Sequence, residues 1–235
     1  MEYSIVIPLL NEEDSLSYLQ HEIVEVMNKV SKEFEIVYID DASTDASLKT
    51  LKTLQKQYSP IKIISFKENK GQSAALFAGF KAASGEWIIT LDADGQNPPE
   101  SILDLIKHET NFDFITGVRK YRKDGFIRKI ESALARLFRK IILGDMTRDT
   151  GCSLRLFRRK IITTIPFFKN FHRFLPFLAK EKGFSIKEVT VKHRERRYGK
   201  SKYKGIKRFI AGTFDLFGVL WLKRRQFDYD IKFKN

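Results

Sequence analysis

The chain has 235 residues, with 43 Lys and Arg against 29 Asp and Glu and a formal net charge of +14. Hydrophobic residues make up 43% and charged residues 31%, which excludes a disordered chain and allows one large domain with a sizeable core. The excess of cations predicts a polyanionic partner (nucleic acid, anionic lipid or a phosphorylated ligand), and a lone cysteine, Cys152, excludes an internal disulfide and fits a reducing compartment.

The N-terminal MEYSIVIPLL opens on an acid and a short strand-like run, so it is not read as a secretory signal. Its β-rich run, YSIVIP, covers residues 3–8. Leu16, Leu19, Ile23, Val26, Met27 and Val30 then recur at steps of three and four, which is one face of a helix. Further β-rich runs follow at 35–40 (EIVYID), 61–66 (IKIISF), 86–91 (EWIITL) and 112–118 (FDFITGV), with helical patterns between them. This alternation predicts βαβ units: an α/β fold with a mostly parallel sheet flanked by helices. No internal repeat or low-complexity linker interrupts the chain, so a main domain is expected over 1–204, with an interfacial helix and tail over 205–235.

The second half changes character. From Gly125 to Leu143, Ile127, Ile130, Leu134, Leu137, Phe138 and Ile141 form one stripe, while Arg128, Ser132 and Arg136 fall on another face. The apolar run Phe209–Leu222 contains Asp215 and would make a helix about 21 Å long, short of a roughly 30 Å hydrocarbon core. It is too short to cross a bilayer. A basic amphipathic helix and a short apolar one bounded by cations predict a chain lying on an anionic membrane surface, although the same faces suit self-packing or a dimer.

Acids collect at the predicted strand ends. The first strand runs into Asn11 and Glu12, the second into Asp40 and Asp41 with Asp45 beyond, and the fourth into Asp92 and Asp94 of LDADGQNPPE. Each has an ordinary alternative as a helix cap or turn former. In an open parallel sheet, however, ligands bind beyond the carboxyl ends of the strands. Acids converging there repel one another unless a cation offsets them. Asp92 and Asp94, one residue apart, can share Mg²⁺ or Mn²⁺, with water and the oxygens of a nucleoside diphosphate as the remaining ligands.

The segments SIVIPLLNEE, IDDASTD, KGQSAALFAGFKAASGEWIITLDADGQNPPE and DTGCSLRLFRR occur in consistent order within residues 3–203. Together they resemble the GT-A fold, family 2 glycosyltransferases, in the branch of dolichyl-phosphate mannose synthases and bacterial polyprenyl-phosphate glycosyltransferases. The resemblance implies an inverting, metal-dependent enzyme. Its reaction would move a hexose from a nucleotide-diphospho-sugar, of GDP-mannose or UDP-glucose type, to polyprenyl phosphate. It implies that Pro8, Asn11 and Glu12 line the nucleotide pocket, that Asp40 and Asp41 meet the base or ribose, that Asp92 and Asp94 hold the metal, and that Gln96 follows in the donor site. Leu10, Ala42 and DGQNPP depart from the usual pattern, which bears on sugar and base preference more than on fold.

On the acceptor side, the resemblance implies that Arg119, Arg128 and Ser132 hold the acceptor phosphate. Guanidinium forks and a hydroxyl suit a phosphate monoester, while Arg128 and Arg136 also fit a plain solvated face. In RERRYGKSKYKG (194–205), Arg197, Lys200, Ser201 and Lys202 are expected to close over the donor diphosphate or the lipid phosphate, although such charge runs are usually solvated. A phosphate monoester is anionic at neutral pH and needs no general base. The expected catalytic set is therefore Asp94, Arg119 and Arg128, with Asp149 organising the site or touching the sugar. His172 and Arg173 either face the donor sugar or pack a helix start, and Cys152 reads as a small buried residue.

Two other readings compete. The same fold acting on a saccharide hydroxyl in cell-wall, capsule or lipopolysaccharide assembly would need a base, with Asp149 as the candidate. A non-catalytic nucleic-acid-binding protein would suit the net charge, but acids at the strand ends repel a phosphate backbone and no binding motif is present, so no nucleic-acid partner is expected. Relatives in the polyprenyl-phosphate branch often continue into transmembrane helices beyond the segment matching DLFGVLWLKRRQFDYDIKF. The expectation here is a protein on the cytoplasmic face of the membrane, either peripheral, held directly or through a homo-oligomer, or anchored by a partner or by a tail that this sequence lacks.

Overall fold

The computed structural model describes residues 1–30, 33–120, 126–196 and 205–225, with the side chains of 126–132 and 205–211 outside that description. In chain order the elements are β1 (Tyr3–Leu9), α1 (Glu13–Asn28), β2 (Phe34–Asp40), α2 (Ser47–Gln57), β3 (Ile61–Ser65), α3 (Gln72–Ala82), β4 (Trp87–Thr90) and α4 (Ile102–Ile106). They continue with β5 (Phe114–Arg119), α5 (Phe126–Leu143), β6 (Arg155–Arg158), α6 (Leu175–Glu181), β7 (Ile186–Val191) and α7 (Gly205–Arg225). The chain divides into two compact units, one of Met1–Arg122 with Thr147–Ser201 and one of Lys123–Met146 with Lys202–Asn235.

The larger unit holds a seven-stranded sheet in the order β3-β2-β1-β4-β6-β5-β7. Strand β1 pairs in parallel with β2 and β4, β2 with β3, and β5 with β7, while β6 alone runs antiparallel between β4 and β5. All seven residues of β1 are buried, as expected of a central strand covered on both faces. Of the predicted helical stripe, Leu16, Leu19, Ile23, Val26 and Met27 are buried beneath Tyr3, Ile5 and Ile7, while Val30 lies just past the end of α1 and is half-buried. Each such buried side chain contributes about 1.5–3 kcal/mol. Helix α3 approaches the sheet closely because position 79 is glycine: a Cβ there would stand 2.4 Å from Val6 Cγ1 and 2.6 Å from Ile39 Cδ1.

The five predicted runs correspond to β1 through β5. Strand β6 was not among them because RLFR is four residues long and hides a buried arginine, Arg155. Strand β7 was not either: it lies at the sheet edge and carries Lys187 and Glu188, as edge strands often do.

The β1–β4 ladder ends at Val6↔Thr90, whereas β1 stays paired with β2 as far as Leu9↔Asp40. Val6 O still accepts Leu91 N, so the next residue facing the β4 side is Pro8, which has no N–H to leave unpaired. The sheet therefore splits between β1 and β4, where the strand order reverses direction. That is where ligands bind in sheets of this kind.

Beneath the opposite end, Glu35 is 1% exposed and accepts from Ser4 Oγ at 2.6 Å and from Ser84 N and Oγ at 2.6 and 2.8 Å, with Lys62 Nζ 2.7 Å away. Burial alone would raise its pKa; the Lys62 contact and the bonds from Ser4 and Ser84 outweigh it and hold the carboxyl at about 2. Between the ordinary carboxylate pKa and about 2, the unfolded chain takes up a proton that the folded one refuses. The stabilisation is therefore complete above pH 4.5 and lost as pH falls through that window. Glu35→Gln should cost about 2–3 kcal/mol at pH 7. Urea midpoints between pH 6 and 2.5 should show a shallower acid loss for the variant than for the parent; parallel curves would refute this.

In the smaller unit, α5 packs along α7, so α5 sits with the C-terminal helix rather than with the sheet. Helix α7 spans 21 residues, longer than its 14-residue apolar run, because cations at both ends continue the helix. No helix among the described residues is long and apolar enough to cross a membrane. Leu143, Leu216 and Val219 are buried, whereas the described members of the α5 stripe, Leu134, Leu137, Phe138 and Ile141, are exposed, Ile141 by 71%. On α7, Phe214 is 75% and Trp221 60% exposed.

Candidate active site

The two acids that follow β4 lie at the split in the sheet. Asp92 Oδ1 accepts from Gln72 Nε2, in the first turn of α3, at 3.0 Å, and Asp92 N donates to Ser153 Oγ at 3.2 Å. Burial, and then the neighbouring Asp94 charge, push Asp92 up to about 6 against the pull of Ser153, Arg155 and Arg119. Asp94 divides its carboxylate: Oδ1 accepts from Gln96 N at 3.0 Å, closing the turn, and Oδ2 faces Arg196 Nη2 at 3.2 Å. The same Arg196 nitrogen donates to Glu12 Oε1 at 2.9 Å. Arg194 secures the same stretch of chain. Its N donates to Gln96 O at 2.9 Å, its Nε donates to Gly95 O, and its Nη atoms reach Glu22 at 2.9 and 2.6 Å. The segment leaving β7 thus runs along the acidic loop.

The other predicted donor residues build the walls of this crevice. Asn11 adopts the left-handed region (φ 51°), which asparagine tolerates, and its Oδ1 accepts from Thr44 N at 2.7 Å, tying the first loop to the second rather than capping α1. Glu12 N donates to Ser47 Oγ at 2.9 Å. Asp40 and Asp41, expected to meet the base or ribose, are buried and used by the protein itself. Asp40 accepts from Ser43 N at 3.0 Å and Ser65 Oγ at 2.9 Å. Asp41 accepts from Lys70 N at 2.7 Å and Gly71 N at 2.8 Å, which sets the turn into α3. At φ 86° that turn calls for glycine.

At the end of β5, Arg119 faces Asp149. Arg119 Nε donates to Asp149 Oδ2 and Nη2 to Oδ1, both at 2.8 Å, and Arg119 N also reaches Oδ2 at 3.2 Å. Gly151 N donates to Oδ1 at 3.2 Å. All four acceptor positions of the carboxylate are filled from these two residues. A Cβ on residue 151 would come within 2.8 Å of Arg119 Nη2, so glycine there leaves room for the pair.

Arg155, buried beside this pair, donates to the carbonyls of His172 at 2.6 Å and Thr150 at 3.0 Å. His172 Nδ1 lies 2.9 Å from Ser73 Oγ, next to the glutamine that holds Asp92. Cys152 is buried, and burial pushes its thiol up to about 11, consistent with a packing role. The side chains of Arg128 and Ser132 on α5, and the residues Arg197, Lys200, Ser201 and Lys202 altogether, lie outside what the structure describes. Among the described residues no three His, Cys, Asp or Glu side chains form a ready metal cage. Two carboxylates that share a cation with a diphosphate do not need one. Sequence reasoning did not single out Gln72, Ser153, Arg155, Arg194 or Arg196; only the position of Arg194 and Arg196 in a basic run gave any signal.

Residues 4–165 match the family model described as "Glycosyl transferase family 2". The undecaprenyl-phosphate 4-deoxy-4-formamido-L-arabinose transferases of Salmonella choleraesuis (strain SC-B67) and Salmonella paratyphi B are each 40% identical over 215 residues, 91% of this chain. The chain spans 65% of the length of these curated relatives. Among solved structures, glucosyl-3-phosphoglycerate synthase from Mycobacterium tuberculosis, in complex with Mn²⁺, UDP-glucose and phosphoglyceric acid, superposes with a TM-score of 0.70 at 16% identity, covering 97% of this chain and 81% of that one. The fold is accordingly the α/β GT-A fold.

Proposed function

The chain belongs to glycosyl transferase family 2, and from that premise we propose that it moves a sugar, with inversion, from a nucleotide-diphospho-sugar to polyprenyl phosphate at a membrane surface. The observation that carries the acceptor class is the Arg119–Asp149 pair. A hydroxyl acceptor needs a base with a free lone pair, and those of Asp149 are taken by Arg119 and Gly151. A phosphate acceptor needs only to be aligned, and Arg119 spends just two of its five side-chain donors on Asp149. Arg128, Ser132, Arg197, Lys200, Ser201 and Lys202 supply the further donors in this reading. The relatives' name, which specifies undecaprenyl phosphate, supports it.

On the donor side, Asp92 and Asp94 would hold Mg²⁺ or Mn²⁺, which when bound offsets charge on the departing nucleoside diphosphate. The residues fit such an ion: Asp92 is pushed up by burial and its neighbour, and a guanidinium already bridges Glu12 and Asp94. Gln72 orients Asp92, the Gln96 amide orients Asp94, and Asp40 and Asp41 fix the loops that shape the nucleotide pocket. Incubation with UDP-glucose, GDP-mannose and a UDP-linked 4-formamido-pentose, plus Mn²⁺ and undecaprenyl phosphate, should yield a glycosylated lipid phosphate by mass. Transfer to a saccharide and none to lipid would refute the acceptor class.

In this reading the smaller unit meets the membrane, on its cytoplasmic face. Exposed Leu137, Phe138 and Ile141 on α5, and Phe214, Phe217 and Trp221 on α7, share their helices with exposed Arg136, Lys140, Lys223, Arg224 and Arg225. The chain has two tryptophans, and Trp87 is 3% exposed, so Trp221 is the responsive one. Vesicles containing anionic lipid should shift the tryptophan emission to shorter wavelength and 0.5 M salt should weaken the effect; an unchanged spectrum would rule out this surface.

A further inference from the structure

The segment leaving β7 carries two arginines whose attachments differ in kind. Arg194 is bound away from the acidic pair itself, to the Glu22 carboxylate and Tyr18 hydroxyl on α1 and to the Gly95 and Gln96 carbonyls. Arg196 instead places one nitrogen between Glu12, at 2.9 Å, and Asp94, at 3.2 Å. The side chains are sheltered, with 20% exposure for Arg196, 9% for Glu12 and 15% for Asp94, so the contact is screened less than a surface ion pair. Its charge lies on the Asp94 oxygen that does not close the turn.

We propose that Arg196 is a built-in counter-cation of the acidic site: it neutralises Glu12 and Asp94 when no metal is bound, and the metal must displace it from Asp94 to enter. This rests on the reading of Asp92 and Asp94 as the metal-holding pair. Two cations cannot both occupy the free face of one carboxylate without repelling each other. Metal entry and Arg196 release are therefore one exchange, and each opposes the other by the same free energy. Arg194 keeps its own partners throughout, so the exchange turns the chain about a fixed point two residues away. The device keeps a cluster of acids stable in the empty protein and ties filling of the site to release of the Arg196 side chain. It also predicts that the wild-type protein binds metal more weakly than its carboxylates alone would allow.

The test measures metal binding without substrate. Mn²⁺ titrated into the protein and followed by the electron-paramagnetic-resonance signal of the free ion should bind Arg196→Met about 3- to 10-fold tighter than wild type, the range expected for a sheltered ion pair. Equal or weaker binding by the variant would overturn the exchange. If neither protein binds Mn²⁺, the metal reading of Asp92 and Asp94 falls with it, and the two failures are told apart by the wild-type curve. A second measurement needs no variant. Phenylglyoxal modification of the wild-type protein, mapped by peptide mass, should proceed faster at Arg196 when Mn²⁺ is present and at the same rate at Arg194. An Arg196 rate unmoved or slowed by Mn²⁺ would equally defeat the proposal.

Discussion

Replacing Asp94 with asparagine is expected to lower sugar transfer by about 10²- to 10³-fold, the usual cost of removing one preorganised electrostatic partner from a transition state that develops charge. The substitution separates the two uses of this side chain. Its Oδ1 accepts from the Gln96 amide to close the turn, and an asparagine carbonyl can do the same. What disappears is the charge that faces Arg196 and pushes Asp92 up. The fold should therefore survive, with thermal midpoints within a few degrees, while Mn²⁺ affinity and kcat fall together. Transfer at near wild-type rates would remove the acidic pair from the chemistry. Loss of activity accompanied by general unfolding would show instead that the turn is what Asp94 serves.

How much of this was legible in the sequence depends on the range over which each feature is determined. The strands β1 to β5 and the α1 stripe follow from local periodicity, and both are as predicted. The acidic strand ends were readable because the sheet places every parallel strand's carboxyl end on one edge. Their individual uses were not readable: whether Asp41 faces a ligand or the amides of Lys70 and Gly71 depends on a partner 29 or 30 residues away. Arg196 is the extreme case. It sits in a run of cations that ordinarily signals a solvated surface, yet it meets Glu12 across 184 residues of sequence. Buried Arg155 hid β6 for a related reason, since its charge interrupts the apolar pattern, and its carbonyl partners at 150 and 172 appear only in the folded chain. The α5 stripe was visible as amphipathic, but periodicity cannot say whether such a face turns inward or outward.

The second large effect concerns Asp149, where two mechanisms predict different kinetics. If its carboxylate only positions Arg119, Asp149→Asn takes a partner from a guanidinium whose side chain is 14% exposed, costing about 3–5 kcal/mol of stability. Transfer should then fall about 10- to 100-fold, mainly through a raised KM for the lipid phosphate, with the pH–rate profile keeping its shape because no titrating base has gone. A base acting on a hydroxyl would behave otherwise: kcat would collapse with KM unchanged, and the ascending limb of the profile would vanish. Arg119→Lys sharpens the comparison. It keeps the charge but loses the fork that meets both carboxylate oxygens, so it should reproduce the Asp149→Asn phenotype. The double variant should then be scarcely worse than either single one, since both break the same contact. Additive losses would mean that Asp149 contributes something of its own to the reaction, and the saccharide-hydroxyl mechanism would then be the better account of the site.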